Sequence, residues 1–182
     1  MNGPRFRPTW VEVDLDRLRH NVRALTPPGA ELMAVVKADA YGHGDAPVAR
    51  AAIDAGATWL GVALVEEGLR LRLAGIEAPI LVLSEAPEGS EAVLLAHRLT
   101  PTIYSRPGLR RLAAAARGPV AVHVKIDTGM GRMGIRFDQL NEFVDRQVLE
   151  SVLARRIDEL RSNPLHFCSD HFVNVRLEPC RL

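Results

Sequence analysis

Short apolar stretches alternate with amphipathic stretches along most of this 182-residue chain. The apolar stretches are rich in β-branched residues and end at polar or glycine-containing turns, which is typical of buried strands. The amphipathic stretches carry apolar residues three or four positions apart and stop at Gly56, Gly75 and Gly118, which is typical of helices. Strands are predicted at 31–37, 58–63, 80–83, 101–104 and 119–126, and helices at 45–55, 66–74, 90–97 and 107–116.

The two ends of the chain add further elements. An alternating pattern at Trp10–Leu15 predicts a strand, and Asp16 is the expected N-cap of the helix that follows. Residues 137–161 have a broad apolar face, which predicts one amphipathic helix, and no regular structure is predicted after Pro164. Repeated βα units with short loops favour a parallel sheet covered by helices, so the predicted fold class is α/β.

Composition changes this picture little. The chain is 47% hydrophobic and 25% charged with a net charge of +1, an ordinary globular balance that predicts no nucleic-acid partner. No apolar run is long enough to span a bilayer, and the N-terminal residues lack the apolar core of a signal peptide, so a cytoplasmic protein is expected. The two cysteines, Cys168 and Cys180, do not favour a disulfide framework.

Several charged and metal-ligating residues favour plain structural interpretations. Glu66 and Glu67 are expected on the exposed face of a helix. Solvated helix faces are also expected for Arg70, Arg72, Arg110 and Arg111. No metal site is predicted, because no usual zinc spacing is matched by His166, Cys168, His171 and Cys180.

The stretch Ala34–Gly44 carries the strongest chemical signal. It places Lys37 at the C-terminal end of a predicted strand, before a turn that leads into the helix begun by Asp45 and Pro47. A buried ammonium is costly, and a partly desolvated amine is what imine formation with a carbonyl cofactor requires. Barrels of the α/β class place catalytic groups at this end of their strands. The other interpretation is a lysine whose ammonium simply reaches past the strand end to solvent.

A second lysine lies at an equivalent position. Lys125 is near the C-terminal end of the predicted strand 119–126, and Arg132 follows in a glycine-rich loop. The guanidinium offers a planar fork for a carboxylate or phenolate, and the glycines let the backbone approach a ligand. The loop also matches the dinucleotide-binding pattern G-x-G-x-x-G. The acidic residues at the distance that this pattern requires, however, fall in a stretch with helical periodicity.

Three ordered stretches resemble the alanine racemase family. AVVKADAYGHG at 34–44 is similar to the family motif A-V-V-K-A-N-A-Y-G-H-G, with Asp39 in place of asparagine. Residues 9–22 are similar to W-x-E-V-D-L-x-x-L-x-x-N, and 122–134 to K-x-D-T-G-M-G-R-x-G. The resemblance implies a parallel (β/α) barrel of the alanine-racemase type. With about five barrel strands instead of eight, the barrel is expected to be incomplete and to expose a strand edge.

The resemblance also implies an activity and a role for each site residue. The activity would be that of an isomerase, an amino-acid racemase that interconverts L-alanine and D-alanine for the cell wall with pyridoxal 5'-phosphate as cofactor. Lys37 would carry the cofactor as an internal aldimine and act as the base on one face of the substrate, and Tyr41 would hydrogen-bond the cofactor phosphate. Lys125 corresponds to the lysine that many members carry carbamylated. Arg132 would contact the phenolic oxygen of the cofactor and the substrate carboxylate. Asp39 would add a negative charge near an anionic cofactor, or would face solvent.

The expected domain organisation is part of a barrel domain at 1–140, which binds the cofactor, followed by a helix and a divergent tail at 141–182. The family resemblance implies a homodimer whose second base is a tyrosine from the C-terminal domain of the partner subunit. Nothing in this chain corresponds to that tyrosine, so impaired activity is expected. His166 echoes a family histidine that packs near the cofactor, although the rest of its motif is missing. A non-catalytic pyridoxal-phosphate-binding protein and an inactive gene remnant stay open as alternatives.

Overall fold

The computed structural model describes residues 10–118, 120–140 and 143, together with the backbone of 171–177. The helices are α1 (Leu15–Leu25), α2 (Lys37–Gly42), α3 (Asp45–Asp54), α4 (Val65–Leu73), α5 (Glu91–Ala96) and α6 (Arg106–Ala115), with a 3₁₀ turn at Phe137–Gln139. The strands are β1 (Met33–Val35), β2 (Trp59–Val62), β3 (Ile80–Val82), β4 (Leu99–Thr100), β5 (Thr102–Ile103), β6 (Val120–Asp127), β7 (Ile135–Arg136) and β8 (His171–Leu177).

The strands form one parallel series with an interruption at Pro101. The sheet order is β1-β2-β3-β4 in one half and β5-β6-β7 in the other, and all of these pairs are parallel. Proline has no N–H to donate to a neighbouring strand, so Pro101 divides the stretch 99–103 into β4 and β5. The His123 N–H still donates to the Pro101 carbonyl at 2.9 Å, so the two halves are joined. The predicted parallel α/β sheet is confirmed.

The sheet curls so that its inner faces approach each other. Trp59 on β2 and His123 on β6 have ring centroids 5.6 Å apart, although β3, β4 and β5 lie between them in the sheet order. The alternate residues on these strands face the helices: Leu60 and Val124 are buried in the two apolar clusters of the fold. A curled parallel sheet with helices outside is part of a (β/α) barrel, as expected.

Two apolar clusters hold the helices against the outer face of the sheet. One joins β2, β3 and β4 to helices α3 and α4, with Leu60, Leu71 and Ile80 fully buried. The other joins β5 and β6 to α6, with Leu112, Val122 and Ile126 at its centre. Burial of such large side chains stabilises the fold by about 1.5–3 kcal/mol each.

The N-terminal stretch differs from the prediction. Residues 10–14 form no strand, and Trp10 is 58% exposed. The helix starts one residue after Asp14, whose Oδ1 accepts from the backbone N–H groups of Asp16 and Arg17 at 3.0 Å each. An alternating pattern favours a strand only where a partner edge is available. Among the described residues no strand pairs with this stretch, so Asp14 caps α1 instead of Asp16.

The tail also differs from the prediction at the point where it is described. The β8 backbone pairs antiparallel with β6 over its whole length, from Val120 opposite Leu177 to Ile126 opposite His171. The stretch 171–177 was expected to be irregular, and that expectation is wrong. The expected exposed strand edge is found at β1, which pairs only with β2 among the described strands. The predicted helix beyond residue 143, and with it His166, Cys168 and Cys180, lies outside the described residues.

Candidate active site

Lys37 lies just past the C-terminal end of β1. This strand is shorter than predicted, because Val36 leaves the ladder while its N–H still donates to the Gly61 carbonyl at 2.8 Å. Val36 is buried, and Lys37 is half-buried where the chain turns away from the sheet. The sequence therefore placed the lysine correctly at the strand end.

The turn after Lys37 has an unusual backbone. Four consecutive non-glycine residues, Ala38 to Tyr41, have φ between 51° and 56° and ψ between 37° and 50°, the left-handed helical region. For residues with a Cβ this conformation costs about 1–2 kcal/mol each. Hydrogen bonds close the turn on both sides, from Ala40 N to Val36 O at 3.0 Å and from Gly44 N to Asp39 O at 2.9 Å. The sequence predicted a turn here, but not this handedness.

The left-handed turn brings Lys37 and Tyr41 together. The Lys37 Nζ lies 5.9 Å from the centre of the Tyr41 ring. The Tyr41 ring is 61% exposed and stands at the open side of the site. An amine and a phenol therefore share one small region at the end of β1.

Glu67 supports this turn from behind, and its predicted solvent exposure is wrong. The side chain is buried, with 6% of its surface exposed. One carboxylate oxygen, Oε1, accepts from Ala38 N at 2.8 Å, and the other, Oε2, accepts from Ala63 N at 2.8 Å and Leu64 N at 3.1 Å. The sequence signal for this role was the third position of a helix, where glutamate commonly binds backbone N–H groups. Glu66 is exposed as predicted.

Lys125 faces the interior of the curled sheet. It lies on β6 two residues after His123, so both side chains are on the inner face of the strand. Lys125 is buried, with 4% of its surface exposed. Its strand ends at Asp127, which confirms the predicted position near the C-terminal end.

The loop that carries Arg132 is organised by Asp127. The Asp127 Oδ1 accepts from Gly129 N at 2.9 Å and from Gly131 N at 3.1 Å. These backbone N–H groups hold the pKa of the Asp127 carboxyl below its usual value. Arg132 is exposed in the same loop, with its Nε 2.9 Å from the Met130 Sδ. The guanidinium thus stands at the open side of the site, like Tyr41.

The glycines of this loop return the chain to the sheet. Gly134 has φ +139°, and a Cβ there would lie 2.7 Å from the Asp127 nitrogen. The chain then forms β7 at Ile135–Arg136. A dinucleotide-binding loop leads directly into a helix, so the structure does not support that alternative.

Lys37 and Arg132 lie at the same edge of the sheet. Parallel strands have their C-terminal ends on one side, and β1 and β6 both end there. Because the sheet curls, this edge forms an arc instead of a line. The four predicted residues thus form two groups on this arc: Lys37 with Tyr41, and Lys125 with Arg132.

Neither a metal-binding cluster nor a membrane-spanning helix is found among the described residues. In the described ranges, no three His, Cys, Asp or Glu side chains are close enough together to hold a metal ion. None of the helices in those ranges combines the length and apolar composition needed to cross a bilayer.

Comparison with known proteins identifies the family to which this fold belongs. The family model described as "Alanine racemase, N-terminal domain" matches residues 13–154, more than half of the chain. The chain belongs to the alanine racemase family. The matched range includes the left-handed turn with Lys37, the strand with Lys125 and the loop with Arg132.

Individual alanine racemases agree with this assignment. The alanine racemase of Geobacillus kaustophilus is 44% identical over 183 residues, which cover 93% of this chain and 48% of that protein. The Clostridium difficile 630 alanine racemase in complex with cycloserine matches with a TM-score of 0.70 and 34% identity, over 78% of this chain and 41% of that one. The Bacillus anthracis alanine racemase with bound L-Ala-P matches with a TM-score of 0.65 and 39% identity, over 79% and 39%.

The chain spans about half the length, or less, of the alanine racemases it matches. The alignment with the Geobacillus kaustophilus protein covers so much of this chain that it extends past residue 140. The similarity therefore reaches beyond the point at which the motif resemblance ended.

Proposed function

We propose that this chain supplies the lysine-bearing part of a pyridoxal 5'-phosphate-dependent alanine racemase. The observation that carries the proposal is the placement of Lys37 on a left-handed turn at the end of β1, with its amine 5.9 Å from the Tyr41 ring centre. Membership of the alanine racemase family supports the reaction. The bound L-Ala-P of the Bacillus anthracis relative supports alanine as the substrate.

The residues at this edge of the sheet fit the cofactor chemically. The Lys37 amine is the group that would bind the aldehyde carbon, and the Tyr41 hydroxyl is a donor suited to the phosphate. The Arg132 guanidinium would bind the phenolic oxygen and the substrate carboxylate with its planar set of N–H donors. Lys125 would be the fourth residue near the cofactor, on the inner face of β6.

The chain's own residues would orient the substrate and move its proton. When bound, pyridoxal phosphate supplies a sink for the electrons left behind as the α-proton of alanine departs. The Lys37 amine would take or deliver the α-proton at one face of the α-carbon, and racemisation requires a second group that does the same at the opposite face. Arg132 would hold the substrate by its carboxylate, so that the α-carbon lies within reach of Lys37.

Several finer features belong to the proposal as predictions. They are the homodimer, the cytoplasmic location, the supply of D-alanine for the cell wall, and the division of the chain at residue 140. The family resemblance supports the homodimer and the supply of D-alanine. The balanced composition supports the cytoplasmic location.

The decisive experiment is covalent capture of pyridoxal phosphate. Lys37 and Lys125 are the two lysines of the sequence, so a label is easily assigned by peptide mapping. After incubation with the cofactor and reduction with borohydride, we expect the label on Lys37 and its loss in Lys37→Ala. Lys125 is the comparison lysine: it would lie near the cofactor without forming the imine, and because it is 4% exposed we expect little label on it.

Equal labelling of the two lysines, or a label that survives in Lys37→Ala, would contradict the proposal. Exchange of the alanine α-proton with deuterium from solvent then separates a racemase from a protein that only binds the cofactor. Exchange that depends on Lys37 supports catalysis, and a labelled protein without exchange supports the non-catalytic alternative.

A further inference from the structure

The carboxylate of Glu67 connects the turn that carries Lys37 to the next loop of the sheet. Ala38, whose N–H donates to Glu67 Oε1 at 2.8 Å, directly follows Lys37. The other oxygen binds the N–H groups of Ala63 and Leu64, which lie between β2 and α4. A single buried side chain thus ties the end of β1 to the end of β2.

The left-handed turn needs such support. Its four residues carry side chains, and a left-handed backbone persists in such residues only where surrounding contacts determine it. Ala38 is the first of the four, so its N–H is where the unusual backbone begins. The bond to Glu67 comes from outside the turn and fixes this first residue relative to the sheet.

We propose that Glu67 is a positioning residue that sets the place of the Lys37 amine. The inference rests on the proposed function of Lys37 as the cofactor-binding lysine. Release of the Ala38 N–H would let the turn relax, and the amine would leave its position beside Tyr41. Glu67 has no contact with substrate or cofactor in this role, because it acts through the backbone of Ala38.

Both oxygens of the carboxylate are needed. Three N–H donors face Glu67, and an ionised carboxylate offers acceptors on both sides. Glutamine has one oxygen and one NH₂ group. Its NH₂ group would face at least one of the backbone N–H donors, and two donors form no hydrogen bond. Glu67→Gln therefore keeps the size of the side chain while it removes at least one of these bonds.

The test compares Glu67→Gln with Glu66→Gln in the full chain. Glu66 is its exposed neighbour in the first turn of α4, so both variants remove one negative charge from the same place. The measured quantity is the rate at which pyridoxal phosphate is captured on Lys37. It is determined by borohydride reduction of samples taken at timed intervals. We expect capture to slow by about tenfold in Glu67→Gln, the effect of losing one hydrogen bond to a charged group. In Glu66→Gln it should stay within about twofold of the unsubstituted chain.

A second pair of measurements separates positioning from a merely structural role. Ala38→Gly should partly restore capture in the Glu67→Gln background, because glycine adopts the left-handed region without strain. A residue that only stabilised the fold would lower the urea midpoint and leave the capture rate of the folded chain unchanged. Hydrogen exchange of the Ala38 amide in the unsubstituted, cofactor-free chain needs no variant, and it should be at least about tenfold slower than in an unfolded peptide.

The outcomes decide the inference in each case. Capture in Glu67→Gln within about twofold of the Glu66→Gln control would overturn it, and so would an unprotected Ala38 amide. If the unsubstituted chain captures no pyridoxal phosphate on Lys37, the proposed function fails. The protection of the Ala38 amide still shows whether Glu67 holds the turn.

Discussion

Asp39 is the residue at which this chain departs from the family motif. The sequence left two possibilities for it, a negative charge near the cofactor or a side chain in solvent. In the structure Asp39 is exposed, and its Oδ1 also accepts from the Asp45 N–H at 2.8 Å at the start of α3. An acceptor at this position satisfies an N–H that the helix itself leaves without a partner.

Substitution of Asp39 tests this role. Asparagine keeps a side-chain oxygen at the same distance, so Asp39→Asn should change the free energy of unfolding by less than about 0.5 kcal/mol. Asp39→Ala removes the acceptor and should lower it by about 1 kcal/mol, as for other helix N-termini. Urea unfolding of the two variants checks both values, and a larger loss in Asp39→Asn than in Asp39→Ala would contradict the assignment. Capture of pyridoxal phosphate on Lys37 should survive in Asp39→Asn.

At the scale of elements, buried polar side chains join one βα unit to the next. Glu67 does this between β1 and β2, and Glu85 does it further along the sheet, where its Oε2 accepts from Tyr104 N and Ser105 N at 2.8 Å each. A Cβ on Gly108 would lie 2.2 Å from the Glu85 carboxylate, so a side chain at position 108 would displace this carboxylate. The Glu67 and Glu85 carboxylates both lie at the C-terminal edge of the sheet, where the candidate site is.

Arg72 plays the corresponding part at the opposite ends of the strands. Its guanidinium donates to the carbonyl oxygens of Ile76, Ala78, His97 and Arg98, at 2.7–3.0 Å. Burial lowers the pKa of Arg72, and the positive charge of Arg98 lowers it further. The predicted solvated face is therefore wrong for Arg72. It is also wrong for Arg111, which is half-buried and pairs with Glu91.

A lysine cannot replace Arg72 in this position, because one ammonium cannot reach four carbonyls that lie on two loops. Arg72→Lys should lower the free energy of unfolding by about 1–2 kcal/mol. The matched control is Arg110→Lys, on an exposed part of α6, which should change it by less than about 0.5 kcal/mol. Thermal or urea unfolding provides the measurement, and equal effects of the two substitutions would show that the four bonds contribute nothing.

At the scale of the whole molecule, the curled sheet encloses a histidine. His123 lies on the inner face of β6 against the Trp59 ring, and burial lowers its pKa from the usual 6.5. The folded chain therefore binds this proton less readily than the unfolded chain. The free energy of unfolding should have its full value above pH 6.5. It should decrease as the pH falls below 6.5, because only the unfolded state gains the proton there.

This pH dependence can be assigned to one residue. Urea unfolding at about pH 7.5 and about pH 5.5 should show a loss of stability on acidification that is reduced in His123→Gln. His97 is an exposed histidine, so His97→Gln should retain the loss seen in the unsubstituted chain. An equal loss in His123→Gln would show that other groups cause the acid sensitivity.

The sequence by itself determined the parallel order of the strands, the helices between them and the edge at which Lys37, Lys125 and Arg132 lie. These features follow from local periodicity and from motifs of about ten residues, which are visible without knowledge of distant contacts. Only the tertiary structure decided the left-handed turn, the burial of Glu67 and Arg72, the exposed stretch at Trp10 and the pairing of β8 with β6. Most of these depend on partners far away in the chain, such as the Glu67 carboxylate for the Ala38 N–H, and local patterns do not specify which distant group a residue meets.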